Sequence, residues 1–215
     1  MNHVIESATG QLRQFGSAAA ELIVNRASYG PHGAGARMGY AIARSLFGQI
    51  LIAATAHGVC WIGIHDSIAH LESELRSDYP RAAIARDDTD DATVADYARR
   101  LVRSIANEPA ALDLPLDIRA TSFQLAVWRE LCAIPRGATR SYGAIAQRIG
   151  RPDAPRAVGH ANGSNPLAII IPCHRAIGAN GTLTGYRWGI EIKRRLLEAE
   201  GTITQRSSLS LDRAL

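Results

Sequence analysis

SYGAIAQRIGRPDAPRAVGHANG, residues 141–163, decides how the second half of the chain folds. Ser141 is a capping residue type placed just before an apolar run, where its hydroxyl can accept from the free N–H groups of a first helical turn. The run 142–149 then reads as helix until Gly150 and Pro152 break it, glycine by its conformational freedom and proline by its fixed φ and missing donor. The helical pattern resumes over 154–163, with Arg156 near its start. Two short helices joined by a tight Gly/Pro turn make a helix-turn-helix pattern, whose second helix can be laid against DNA.

Working outward, 122 onward reads as a helix capped by Ser122, with Phe123, Val127, Trp128 and Leu131 inward, ended by Pro135 and Gly137. On the other side, 167–171 reads as a buried strand that delivers Pro172-Cys173-His174-Arg175. Pro172 fixes its own φ and biases Ile171 to an extended conformation, so Cys173 is expected where a strand ends and a turn begins. An ordinary thiol pKa of about 8.5 leaves little thiolate at neutral pH, and a neighbouring histidine or arginine is the residue type that lowers it or removes the proton. A bare Cys-His pair is equally a half-buried structural cysteine with an incidental neighbour. A closing helix is expected over 190–200.

Upstream, 38–45, 49–55 and 59–65 are three short apolar runs punctuated by Gly48 and Ala56-His57-Gly58, the pattern of an antiparallel meander. Ser67 can cap a helix with Ile68, Leu71 and Leu75 on one face, an acidic loop spans 87–91, and a second helix covers 92–106. Residues 1–35 are Ala/Gly/Ser-rich and read as a leader and flexible linker, with a short helix over 13–25. This divides the chain into 1–35, an α/β domain at 36–118, a helix-turn-helix domain at 119–203, and a tail at 204–215.

The net charge of +4 hides an asymmetry: 119–203 carries 12 Arg and Lys against 5 Asp and Glu, whereas 36–118 carries 8 against 12. A basic half beside an acidic one points to a polyanion partner for the former, nucleic acid first. The 47% hydrophobic and 20% charged composition is that of a soluble globular protein. There is no apolar run long enough to span a membrane and no secretion-signal layout at 1–10, so a cytoplasmic protein, nucleoid-associated when bound to DNA, is expected. Cys60, Cys132 and Cys173 are too few and too scattered for a disulfide framework or a cysteine-rich zinc site, and no metal or other cofactor is expected.

The second half resembles the O6-alkylguanine-DNA alkyltransferases. The matching text runs through Phe123-Gln124, Ile134-Pro135-x-Gly137, Ser141-Tyr142, Arg156-Ala157-Val158-Gly159, Asn165-Pro166, Ile171-Pro172-Cys173-His174-Arg175, Gly181-x-Leu183-x-Gly185-Tyr186 and Lys193-x-x-Leu196-Leu197-x-x-Glu200. Residues 114–119, 169–175 and 185–189 look most like the C-terminal portion of the bacterial adaptive-response regulators of that family, whose zinc-binding and regulatory domains find no counterpart here. The resemblance implies an α/β, ribonuclease H-like N-terminal domain of antiparallel meander plus helices. A mainly helical, winged-helix-like DNA-binding domain follows it.

The resemblance also implies single-turnover transfer of an alkyl group from O6-alkylguanine, and O4-alkylthymine, in double-stranded DNA to Cys173, by a monomer without cofactor. The target atom is buried in the duplex, so the nucleotide must be flipped out. Arg156 would fill the gap, and Tyr142 would crowd the flipped nucleotide and serve the departing guanine. His174 would take the thiol proton through a bridging water, with Glu200 orienting the imidazole, and Asn165 would brace the turn after the second helix. Tyr186 would wall the pocket, and backbone groups near Cys173, Ala176 and Arg187 would read the guanine edge. Arg175 joins Arg140 and Arg151 among the expected phosphate contacts. Bulky Arg187 and Trp188 imply a poor fit for large alkyl groups. Read without the resemblance, Arg156 is also an ordinary surface charge, Tyr142 a core aromatic, Asn165 a plain turn residue and Glu200 a solvated carboxylate. The competing functions are a lesion-binding protein, a methylation-triggered regulator and a Cys-His hydrolase.

Overall fold

The computed structural model describes residues 27–87, 89, 92–106 and 113–202. The helix expected at 13–25 and the tail at 204–215 lie outside the described residues, as does part of the acidic loop. The described chain forms two compact units. One comprises residues 27–119 with Pro166–Ala168, the other 120–165 with 169–202. The first is an α/β unit and the second is mainly helical, the fold class expected.

The α/β unit is built on the meander β1 (Arg37–Ser45), β2 (Gly48–Thr55) and β3 (Gly58–His65). Its strands pair antiparallel, with Ile52 opposite Ala41 on one side and Ile62 on the other. Most of β2 and β3 is buried, which is why they read as continuous apolar runs rather than alternating ones. A Cβ at Gly58, where φ is +146°, would stand 2.4 Å from the Pro115 carbonyl oxygen, so only glycine fits that turn. Helix α1 (Ile68–Asp78) is capped as expected, the Ser67 hydroxyl accepting from the His70 amide at 3.2 Å, and it buries Leu71 and Leu75. Helix α2 (Thr93–Ile105) buries Val94, Ala95, Ala98 and Leu101. Between them β4 (Ala83–Arg86) adds a parallel partner to β1, giving the order β3-β2-β1-β4. Four mostly exposed residues carry no sequence pattern, so this strand was not foreseen.

Residues 27–35 do not lie free as a linker would. Tyr29 and Gly33 are buried, and the segment is held by Asp117. That buried carboxylate accepts from the Ser28 amide at 2.7 Å and from the hydroxyls of Ser28 and Thr55, while the Tyr29 hydroxyl donates to the Asp117 carbonyl at 3.1 Å.

The helical unit contains α3 (Ser122–Cys132), α4 (Tyr142–Arg148), α5 (Pro155–Gly163) and α6 (Ile190–Ala199). The cap of α3 is Thr121, not Ser122: the Thr121 hydroxyl accepts from the Gln124 amide at 3.2 Å and the Gln124 side chain returns to the Thr121 amide at 2.9 Å. The residue three positions before Gln124 closes this reciprocal box, and that residue is Thr121. Trp128 donates to the Ala161 carbonyl at 2.8 Å, tying α3 to α5. Ser141 caps α4 through the Ala144 amide at 3.1 Å. The strand expected over 167–171 is absent. Leu167, Ala168 and Ile171 make isolated bridges, Leu167 with Ile62, and the chain turns between them at Ile169, which has φ +74°. Apolar content marked the segment as buried but could not reveal a left-handed residue. Two residues each of β5 (Arg140–Ser141) and β6 (Ala176–Ile177) pair in parallel, bringing the start of α4 beside the segment that follows Cys173.

Replacing Asp117 by alanine leaves the part-buried donors of Ser28 and Thr55 without their acceptor, at a cost of about 1–3 kcal/mol. Urea unfolding measures this directly. A loss below about 0.5 kcal/mol, the range of an ordinary surface substitution, would contradict the assignment.

Candidate active site

Cys173 is presented by a compound turn. At Pro172, φ −78° and ψ 62° form an inverse γ-turn in which the Cys173 amide donates to the Ile171 carbonyl at 2.7 Å. A short 3-10 turn, Cys173–Arg175, follows. The thiol is 3% exposed. Asn165, itself buried, donates through Nδ2 to the Ile171 carbonyl at 2.9 Å and to Cys173 Sγ at 3.0 Å. The asparagine expected to brace the turn therefore also holds the sulfur.

Burial pushes the Cys173 thiol above its ordinary range, outweighing the Asn165 and Tyr186 hydrogen-bonding groups and the positive charge of Lys193. The resting residue is thus a thiol rather than a thiolate. Tyr186 sits beside the sulfur, close enough to polarise it, yet its buried hydroxyl has no regular hydrogen bond among the described residues. Burial and the adjacent sulfur hold that hydroxyl firmly protonated.

His174 is buried and its Nε2 lies 3.0 Å from Glu200 Oε1. Burial lowers the imidazole pKa despite the carboxylate, so the ring is neutral. A carboxylate only accepts, which assigns the ring proton to Nε2 and leaves Nδ1 as an acceptor. Nδ1 is buried without a protein partner among the described residues.

Glu200 is the C-cap of α6, which brings it back to the turn at 173–175. Burial alone would raise its pKa, but hydrogen bonds from His174 and Arg175 hold it down to about 2. It is not the solvated helix-end carboxylate that its neighbourhood in sequence allowed. Arg175 also differs from expectation. Its guanidinium donates to Glu200 through Nε at 3.0 Å and Nη2 at 2.8 Å and to the Ile134 carbonyl at 2.6 Å, so it serves as an internal clamp. Arg140 is likewise engaged, by Glu130 at 3.0 Å, whereas Arg151 is exposed.

Sequence reasoning missed Lys193 as a site residue. Buried on α6, its ammonium donates to the carbonyls of Ala176 at 2.6 Å and Thr184 at 3.0 Å and lies 5.9 Å from the centre of the Tyr142 ring. Burial lowers its pKa to about 8, while the facing sulfur raises it. The only sequence signal was its place four residues before Leu197 on the inner face of a helix. The Ala176 carbonyl accepts from Lys193, and its amide donates to the Cys173 carbonyl.

Tyr142 opens α4, half-buried, with its hydroxyl paired to Thr184 and kept protonated by burial. Arg187 stacks on Trp188 at 4.8 Å, and Trp188 is buried, so its bulk goes into packing rather than into a cleft. Arg156 stands exposed in the first turn of α5 and is not part of the cluster around the sulfur. Cys60 and Cys132 are buried thiols, Cys132 pushed up to about 12 by burial. Among the described residues no three metal-ligating side chains converge, and no helix is long and apolar enough to cross a membrane.

The Glu200 pKa of about 2 lies below the ordinary carboxylate value of about 4.3, so the ionised form contributes about 3 kcal/mol to folding. That contribution is complete above the ordinary value and is lost as pH falls towards 2. Glu200→Gln should therefore be destabilised by about that amount near pH 7, with the gap to the parent closing between about pH 4.5 and pH 2 in urea unfolding. A gap independent of pH would contradict the ionised clamp.

Two family models match the chain: "6-O-methylguanine DNA methyltransferase, ribonuclease-like domain" over residues 38–118 and "6-O-methylguanine DNA methyltransferase, DNA binding domain" over residues 122–202. The regulatory protein Ada of Salmonella typhimurium is 44% identical over 161 residues, covering 75% of this chain and 45% of the relative. The methylated-DNA--protein-cysteine methyltransferase of Methanosarcina acetivorans is 41% identical over 165 residues, covering 77% and 99%. The chain thus spans a little under half of the Ada relative. A crystal structure of Mycobacterium tuberculosis OGT in complex with DNA matches with a TM-score of 0.59 at 38% identity, covering 77% of this chain and 93% of that one.

Proposed function

The chain belongs to the 6-O-methylguanine DNA methyltransferase family, and from that membership we propose that it repairs double-stranded DNA by moving the alkyl group of O6-alkylguanine onto its own Cys173. The observation that carries this reading is the buried sulfur of Cys173, held by Asn165, beside a neutral His174 whose Nδ1 has no partner among the described residues. That pairing supports proton removal only when substrate arrives, since the resting thiol is protonated. The thiol proton passes through a bridging water to Nδ1, and the imidazolium so formed is stabilised by Glu200, itself kept ionised by Arg175. The sulfur attacks the alkyl carbon, the carbon–O6 bond breaks, and the Tyr142 hydroxyl gives its proton to the departing guanine. Lys193 stabilises the negative charge on sulfur during the attack. The thioether product has no leaving group that water can displace, so each chain acts once.

The sequence half 119–203, which contains the helical unit, is the part we assign to DNA, with α4 and α5 as the helix-turn-helix and exposed Arg156 filling the space left by the flipped nucleotide. Its charge of +7 against −4 for 36–118 supports that assignment. The protein acts as a monomer in the cytoplasm.

Titration against duplex DNA containing O6-methylguanine should give one methyl per chain, found by peptide mass spectrometry on Cys173. Multiple turnovers, or methyl on Cys60 or Cys132, would overturn the acceptor assignment. Flipping costs a few kcal/mol, so Arg156→Ala should slow duplex repair at least about tenfold while leaving reaction with free O6-methylguanine base nearly unchanged. Equal losses on both substrates would move Arg156 from flipping to folding or chemistry.

A further inference from the structure

Among the described residues of the helical unit there are two imidazoles, and only His160 is exposed; the other, His174, is buried against Glu200. His160 lies four residues after Arg156 on α5, which puts both on one face of the helix. The opposite face is committed to the interior through Val158, Ala161 and Asn162. Around the two side chains the surface is low. Ala157 is exposed, and a Cβ at Gly159 or Gly163 would meet nothing within 4 Å. The imidazole therefore stands clear beside Arg156 with no larger side chain of its own helix between them.

The charged groups around it favour an anion. α5 packs on α3 and α4, which carry Arg129, Glu130 and Arg148, and the turn before α5 carries Arg151 and Asp153. Glu130 is already held between Arg140 and Arg148, and neither it nor Asp153 forms an ion pair with His160 among the described residues. Arg156 on the same face is a like charge, which a phosphate would offset.

We propose that His160 is a proton-regulated phosphate contact, so that duplex binding takes up a proton and strengthens as pH falls through the imidazole range. This rests on the reading of α5 as the DNA-facing helix. A phosphate favours the charged form of an imidazole over the neutral one, so the extra affinity is gained as pH falls through the imidazole range and lost as it rises. One added phosphate neutralisation steepens the slope of log affinity against log salt by about 0.9.

The test measures affinity of the full chain for an undamaged duplex by fluorescence anisotropy across a salt series at about pH 5.5 and about pH 8. The parent should bind about three- to tenfold more tightly at the lower pH, with the steeper salt slope. His160→Gln should abolish both differences, and His160→Lys should bind tightly at both pH values. His65→Gln, in the α/β unit, is the control that keeps the parental behaviour. A pH dependence that survives in His160→Gln overturns the proposal. If Arg156→Ala weakens binding while the parent shows no pH dependence, His160 is not a contact and the helix assignment stands. If neither Arg156→Ala nor His160→Lys changes affinity at either pH, the assignment of α5 to DNA fails with it.

Discussion

The chemistry of the helical unit hangs on one ionised carboxylate. Glu200 stands at the end of α6, 25 residues after Arg175 and 26 after His174, and receives hydrogen bonds from both. Because Arg175 satisfies its charge with a two-pronged clamp, the carboxylate does not need a charged imidazole opposite it. Burial can then keep His174 neutral, and the proton on Nε2 leaves Nδ1 as a base. The same clamp reaches the Ile134 carbonyl, so the loop after α3, the turn carrying Cys173 and the end of α6 are joined through one guanidinium.

The sulfur is held by the opposite logic. Its surroundings contain a donor from Asn165, a protonated Tyr186 and a cationic Lys193, all of which favour thiolate, yet burial outweighs them. A permanently ionised thiol would be open to any electrophile and oxidant. A thiol that ionises only when its proton has somewhere to go suits a residue that reacts once. Lys193 couples this electrostatic role to a mechanical one, since its two carbonyl bonds fasten β6 to the loop at 184 from beneath. A buried ammonium with a pKa near 8 costs stability at neutral pH, and its retention marks the interior of this unit as organised for the sulfur.

Much of this was legible in the chain. The meander showed in its glycine punctuation, α1 and α4 in their serine caps, and the site in the Pro-Cys-His-Arg stretch with its distant asparagine and glutamate. What misled was local ambiguity. Ser122 and Thr121 are both good caps, and only the partner at Gln124 chooses between them. The run at 167–171 has strand composition, but Ile169 adopts a left-handed conformation that a β-branched residue takes up only when its surroundings impose it.

By itself the sequence determined which residue types were available and roughly where the meander strands and most helices lie, because capping, periodicity and proline or glycine breaks act over a few residues. The tertiary structure alone decided what the charges do. Arg175 and Arg140 look like surface cations in the chain and are internal clamps in the fold, and Lys193 looks like one more helix charge and is buried against the active site. The thiol's protonation and the imidazole's neutrality depend on desolvation and on partners brought from 8 to 26 residues away. Those are long-range electrostatic quantities, and no short window of sequence contains them.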